Sequence, residues 1–135
     1  MTKLPVVKDH MDRHVATLRP ETSILDAVGF LLEKKVTGAP VVDKAGRLVG
    51  IVTEKDCLRL VAAGIGGDLP RVTVADIMTQ NPETIPPDMD VYYVAGLFLG
   101  RPFRRFPVVE DGKLVGAITR FDILCVIHAN LALVP

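Results

Sequence analysis

A chain of 135 residues, 49% hydrophobic and 24% charged, is long enough to bury the core of one ordinary domain and too apolar to stay disordered. Its 16 Lys and Arg balance its 16 Asp and Glu, which excludes a global field for nucleic acid or an anionic membrane and makes any basic site a local one. Two cysteines, Cys57 and Cys125, make no disulfide framework and are expected as buried, reduced thiols. The opening MTKLPVVKDHM has no apolar signal core. The apolar stretch 91–99 is too short to span a bilayer, and 123–134 is interrupted by His128 and Asn130, so the expected location is the cytoplasm.

In chain order, 15–18 reads as a short strand, and Pro20 and Glu21 turn the chain. Ser23 with Asp26 three residues on makes a capping box for an amphipathic helix at 24–35, where Ile24, Leu25, Val28, Leu31 and Leu32 recur at helical spacing. A brief strand at 40–43 enters through Pro40, turns at 43–46 and returns as an apolar strand at 48–52, followed by a helix at 54–63. The pattern then recurs: strand 83–85, helix 91–99, hairpin strands 106–110 and 113–118, helix 120–128. The strings GRLVGIVTEKD (46–56) and GKLVGAITRFD (112–122) share both glycines, the Leu-Val pair, the threonine and the aspartate. Asp9 likewise matches Asp76, Met11 Met78, Pro20 Pro87 and Pro40 Pro107. The repeats therefore span 9–63 and 76–130, with a linker at 64–75 whose glycine-rich part, 64–73, reads as a flexible loop. Two β-α-β-β-α units of this size are expected to form one α/β (α+β) module with pseudo-twofold symmetry and a shared core.

Thr53-x-x-Asp56 and Thr119-x-x-Asp122 each sit where an apolar strand hands over to a helix. Helix capping alone justifies both pairs, at about 1 kcal/mol each. The same junction exposes backbone donors and a carboxylate that can accept ribose hydroxyls, so a nucleotide site stands beside the capping role.

The Asp-x-Met openings (Asp9 to Met11, Asp76 to Met78), the Pro-Val-Val strands (from Pro40 and from Pro107) and the Gly-x-x-Thr-x-x-Asp tails (from Gly50 and from Gly116) form an ordered set that occurs twice. This set resembles the CBS domain, and the chain over 9–130 resembles a tandem CBS pair, a Bateman module. The resemblance implies a disc-like regulatory module that binds adenosyl ligands in two clefts and frequently dimerises; Asp56 and Asp122 have no nucleophile or base partner in the sequence, so no enzymatic activity is expected. It further implies that each cleft joins the tail of one repeat to the Pro-Val-Val strand of the other. One cleft would then hold Thr53 and Asp56 with Thr84, Arg104, Arg105, Phe106 and Pro107. Asp56 would take the ribose, Phe106 the base, and Arg104 or Arg105 the phosphates. The other would hold Thr119 and Asp122 with Thr17, Thr37, Gly38, Ala39 and Pro40, where Gly38 and Ala39 leave room for the base and Arg120 is the nearby cation. The arginines favour AMP, ADP or ATP over S-adenosylmethionine, which has no phosphate. No cofactor is obligatory.

The implied partners are a second copy of the chain, through the aromatic helix 91–99, and a regulated protein in trans. His10 and His14 have metal-compatible spacing on a helix but no third ligand, so no metal is expected. The rival function is a structural or interaction protein with empty clefts, in which Thr and Asp serve only as caps.

Overall fold

The computed structural model describes residues 4–63 and 71–131. They form two compact units, one of the described residues within 16–82 and one of residues 4–15 with 83–131. Most of the glycine-rich stretch expected as a linker, residues 64–70, lies outside the described residues.

In the unit of residues 16–82, α1 (Ile24–Lys34) begins where Ser23 accepts a hydrogen bond from the Asp26 amide at 3.2 Å. It ends at Lys35, which is left-handed with φ 56°. The helix buries Ile24, Ala27 and Leu31 and leaves Leu25 and Leu32 exposed, so its core-facing stripe is narrower than its apolar content. β1 (Gly38–Val42) and β2 (Leu48–Thr53) form an antiparallel hairpin. Its turn is closed by Asp43 Oδ1, which accepts from the amides of Ala45 (2.9 Å) and Arg47 (3.0 Å), with Gly46 at φ 83°. α2 (Glu54–Ala62) follows without a loop. A short α3 (Val74–Ile77) then leads into β3 (Thr79–Gln80), which pairs with β2 and completes a three-stranded sheet in the order β1-β2-β3. Leu18, Ile24, Val41, Val52 and Val74 form the core.

In the other unit, α4 (Val91–Leu99) is capped by Asp90, whose Oδ1 accepts from the Tyr92 amide at 2.7 Å. β4 (Arg105–Glu110) and β5 (Lys113–Thr119) are joined through Asp111 and Gly112, both at positive φ (54° and 80°), the pairing that suits a two-residue hairpin turn. α5 (Arg120–Leu131) closes the unit. Val7, Ile85, Val94, Phe98, Phe106 and Val108 lie in its core.

The expected strands at 15–18 and 83–85 are each a single bridged residue, Leu18 beside Val41 and Ile85 beside Val108. Pro20 and the Pro86-Pro87 pair follow closely and have no N–H to extend a ladder. The expected shared core resolves into two clusters, one in each unit.

Repeats and compact units are also offset. Residues 74–80, which open the second repeat, pack on β2, while residues 5–12, which open the first, pack on the elements of the second. Asp12 exchanges backbone hydrogen bonds with Ala117 at 2.9 and 3.0 Å, the counterpart of Thr79 beside Ile51. Met11 and Met78 lie over Gly116 and Gly50, where a Cβ would come within 2.6 Å of each sulfur.

Candidate functional site

Each repeat builds the same junction. The last residue of the second hairpin strand, Thr53 or Thr119, is the N-terminal cap of the helix that follows. The Thr53 amide donates to Asp56 Oδ2 at 2.8 Å, and the Thr119 amide to Asp122 Oδ2 at 2.9 Å. In return Thr119 Oγ1 accepts from the Asp122 amide at 3.0 Å, and Thr53 Oγ1 from the Asp56 amide at 3.4 Å. The first helical amide is tied to the segment before the other hairpin strand: Glu54 N to Thr37 O (2.8 Å), and Arg120 N to Arg104 O (3.1 Å). These pairs satisfy amide groups that a helix start otherwise leaves open.

Hairpin register decides which predicted residues meet. Gly38 pairs with Thr53, and Arg105 pairs with Thr119. Each tail is therefore joined to the Pro-Val-Val strand of its own repeat. Thr17 precedes Leu18, whose amide donates to Pro40 O at 2.9 Å; Thr84 precedes Ile85, whose amide donates to Pro107 O at 3.1 Å. One group is thus Thr17, Thr37 to Pro40, Thr53 and Asp56. The other is Thr84, Arg104 to Pro107, Thr119 and Asp122.

Several expected roles change. Phe106 does not reach out to a base: it is fully buried (0% exposed), with its ring 4.6 Å from Phe98 and 5.0 Å from Phe103. Strand alternation puts Arg105 on one face and Phe106 on the core face. Ala39, expected with Gly38 to leave room for a base, is buried, as is Pro40. At Gly38 a Cβ would stand 3.0 Å from Val52 O and 3.3 Å from Thr53 Cγ2; its smallness serves the hairpin's own packing. Arg120 is committed to the chain as well. Its Nη2 donates to the carbonyls of Arg101 (2.9 Å) and Phe98 (3.3 Å) at the end of α4. Cys57 is half-buried, and Cys125 is exposed, contrary to the expected burial, because α5 is apolar on more than its core-facing side.

Two carboxylates at equivalent positions differ in what remains open. Asp56 is 6% exposed, and both its oxygens are engaged: Oδ2 with the Thr53 amide and hydroxyl, Oδ1 with Arg59 Nη1 at 3.2 Å. Asp122 is half-buried, and among the described residues its Oδ1 accepts no hydrogen bond. Arg105 is half-buried beside it; burial pulls the guanidinium below its ordinary pKa, while Asp122 and Asp12 pull it back. Arg104 is exposed.

Asp12 and Arg59 escaped sequence reasoning. Arg59 lies one helical turn from Asp56, a spacing that pairs side chains and was legible. Asp12 comes within electrostatic range of Arg105 only through the exchanged segment. An open cavity of about 220 Å³ is lined by Asp56, Arg59, Leu60 and Ile77, and of the predicted site residues it touches Asp56 alone. Thr73 and Asp76 make a third cap of the same kind, with the Thr73 amide 2.9 Å from Asp76 Oδ2. Among the described residues no group of His, Cys, Asp and Glu gathers to hold a metal, and no helix is long and apolar enough to cross a membrane.

Arg101, the third arginine of the turn, grips Glu83 with a two-pronged contact, Nε to Oε1 at 2.9 Å and Nη2 to Oε2 at 2.7 Å. This holds the Glu83 carboxyl below its ordinary value near 4.5. The pair's stabilising effect is therefore present above that pH and lost as pH falls through the depressed folded-state value. Acid melts of the wild type and Glu83→Gln should differ at neutral pH and converge as pH is lowered; no gap at any pH would show that the pair is too exposed to matter.

Comparison with known proteins gives the family of the chain. The family model for the CBS domain matches residues 7–63 and 74–129. Protein MJ1225 of Methanocaldococcus jannaschii is 31% identical over 126 residues, covering 93% of this chain and 44% of that protein. The chloroplastic CBS domain-containing protein CBSX2 of Arabidopsis thaliana is 33% identical over 138 residues, covering 83% of this chain and 58% of that protein. The chain thus spans about half the length of these relatives. A crystal structure of the CBS-pair protein CBSX2 superposes with a TM-score of 0.86 at 33% identity, over 96% of this chain and 99% of that one. CBSX2 has also been crystallised with AMP (TM-score 0.78, 37% identity, 94% and 96% covered). The CBS domain pair of protein MJ0100, crystallised with 5'-methylthioadenosine and S-adenosyl-L-methionine, superposes with a TM-score of 0.78 at 29% identity, over 95% and 99%.

Proposed function

The chain belongs to the CBS domain family, and on that premise we propose that it is a regulatory module that binds an adenosyl ligand at its strand–helix junctions and signals to a protein partner in trans. The observation that carries this reading is the junction of β5 and α5. Arg105 lies beside Thr119 by register, and Asp122 keeps one carboxylate oxygen without a hydrogen bond. A guanidinium for phosphate and a carboxylate for ribose hydroxyls stand at one helix start. The AMP bound by CBSX2 supports the ligand class. Arg104 and Arg105 favour AMP, ADP or ATP over the S-adenosylmethionine taken by the MJ0100 pair.

Tyr93 and Leu99 on α4, with Phe121 and Leu124 on α5, are exposed apolar side chains, and a second copy of the chain is the partner proposed for them. The module has no catalytic role in this reading and works in the cytoplasm.

A thermal-shift series with AMP, ADP, ATP and S-adenosylmethionine tests it. A ligand that binds only the folded chain, at 100 times its dissociation constant, adds about 2.7 kcal/mol of stability. AMP should raise the melting temperature, and Asp122→Ala should remove that rise. The capping bonds of Asp56 favour a second reading, an interaction protein whose junctions are only helix caps. No shift with any adenosyl compound at millimolar concentration would decide for it.

A further inference from the structure

We infer that each unit carries a socket for a Val-x-x-x-Met segment, that the two sockets are interchangeable, and that a second copy of the chain fills a socket whose own segment is withdrawn.

The sequence holds Val-x-x-x-Met twice, from Val7 to Met11 and from Val74 to Met78. Both segments are seated by the same bonds. The Val91 amide donates to Pro5 O at 2.9 Å, as the Ile24 amide does to Val72 O at 2.9 Å. The Val7 amide donates to Met89 O (2.9 Å) as that of Val74 does to Thr22 O (2.8 Å). The Lys8 amide donates to Pro87 O (2.9 Å) as that of Ala75 does to Pro20 O (2.9 Å). Both valines are 0% exposed. Each methionine sulfur lies over a strand glycine, Gly116 on β5 or Gly50 on β2, 2.6 Å from where a Cβ would stand.

Main-chain bonds give such a seat its affinity and side-chain pockets give it selectivity, so the valine and the methionine define what fits. The positions between them do not. Lys8 and Ala75 differ in charge, and both are exposed. His10 is exposed as well, and its counterpart Ile77 lines an open cavity of about 220 Å³ with Asp56, Arg59 and Leu60 of α2, so the segment at 74–78 is held without filling the space beside it. The same bonds form whether the segment comes from its own chain or from a second copy. Residues 13–17, which follow the first segment, lie outside any helix or strand, with Arg13 and His14 exposed, so that segment swings away with only the Asp12 bridge to break. Its own chain holds the advantage of local concentration alone, about 1 mM for a short flexible tether.

The test uses the full chain, isotope-labelled, with Val7→Asp, which puts a charge into a fully buried seat and expels the segment. Hydrogen exchange is read at the Val91 and Ala117 amides, which bond to Pro5 O and Asp12 O when the socket is filled. A peptide of residues 72–80, the segment of the other socket, at about 1 mM should restore their protection. The same peptide with Val74→Asp should need at least about 10-fold more. The second copy is tested with an unlabelled full chain carrying Gly116→Leu, which blocks the methionine seat and leaves that chain's segment 5–12 free to bind elsewhere. Mixing it with the labelled chain should restore protection at Val91 and Ala117. Where Val7→Asp unfolds its unit, Met11→Ala, which loosens the segment without a buried charge, carries the same measurements. No protection from the 72–80 peptide, or protection from a peptide of residues 4–12 alone, would overturn the interchange of sockets. Protection from the peptides but not from the Gly116→Leu chain would overturn the second copy as occupant.

Discussion

Phe106→Ala lowers the stability of the ligand-free chain by about 3–5 kcal/mol, the range for deleting a buried aromatic ring. The ring is 0% exposed and stands 4.6 Å from Phe98 and 5.0 Å from Phe103, the second contact edge-on at 88°. Such pairs add about 0.5–1.5 kcal/mol beyond the area they bury. The loss falls at the upper end because strand and helix both line the site: Phe106 lies opposite Ile118 on β5, and Phe98 comes from α4. A hole there has backbone on two sides and collapses poorly. Urea unfolding without nucleotide measures it. A base-contacting Phe106 predicts the opposite pattern, with stability nearly unchanged and AMP affinity reduced. A stability loss under about 1 kcal/mol would support that pattern and sink the core assignment.

Local features of the fold were legible because they depend on neighbours in the chain. Helix α4 has the bounds 91–99 read from its apolar run, and Ser23 caps α1 by accepting from the Asp26 amide, without the return bond from the Asp26 side chain that a capping box would add. The join of each cap threonine to its own Pro-Val-Val strand was legible too. A short turn between antiparallel strands brings Gly38 to Thr53 whatever the rest of the chain does. Phe106 was less accessible. In Arg104-Arg105-Phe106-Pro107 alternation says that neighbours face opposite ways, but it does not say which face is the core. What was not legible is the exchange of opening segments. Met11 and Met78 meet glycines 105 and 28 residues away in the chain (116 − 11 and 78 − 50), and no local pattern encodes a contact of that range. The charge of Asp12, brought into the surroundings of Arg105 by the same exchange, was invisible for the same reason.

Gly116→Ala is expected to cost about 2–3 kcal/mol, and Gly50→Ala only about 1 kcal/mol, although the two glycines hold equivalent places in the repeats. At both, a new Cβ meets a methionine sulfur at 2.6 Å, Met11 over Gly116 and Met78 over Gly50. A thioether end has three rotatable bonds and moves aside cheaply. The second contact separates the sites. At Gly116 it is the backbone oxygen of Asp12, 2.7 Å away; at Gly50 the nearest backbone oxygen, of Thr79, is 3.0 Å away. The Asp12 oxygen also accepts from the Ala117 amide at 3.0 Å, so pushing it back strains the bridge that holds the exchanged segment. Opposing this, alanine is roughly 0.5–1 kcal/mol better than glycine within a strand, which leaves Gly50→Ala mild and does not rescue Gly116→Ala. Two measurements check the difference. Urea midpoints rank the variants, and hydrogen exchange reads the amides of Asp12 and Ala117, which should lose protection in Gly116→Ala before the rest of β5 does. Adding Met11→Ala to Gly116→Ala clears the sulfur and leaves the Asp12 oxygen in place, so it should recover less than half of the loss. Equal costs at the two glycines, or full recovery in the double variant, would mean that the methionines alone set the packing and that the Asp12–Ala117 bridge does not anchor the exchanged segment.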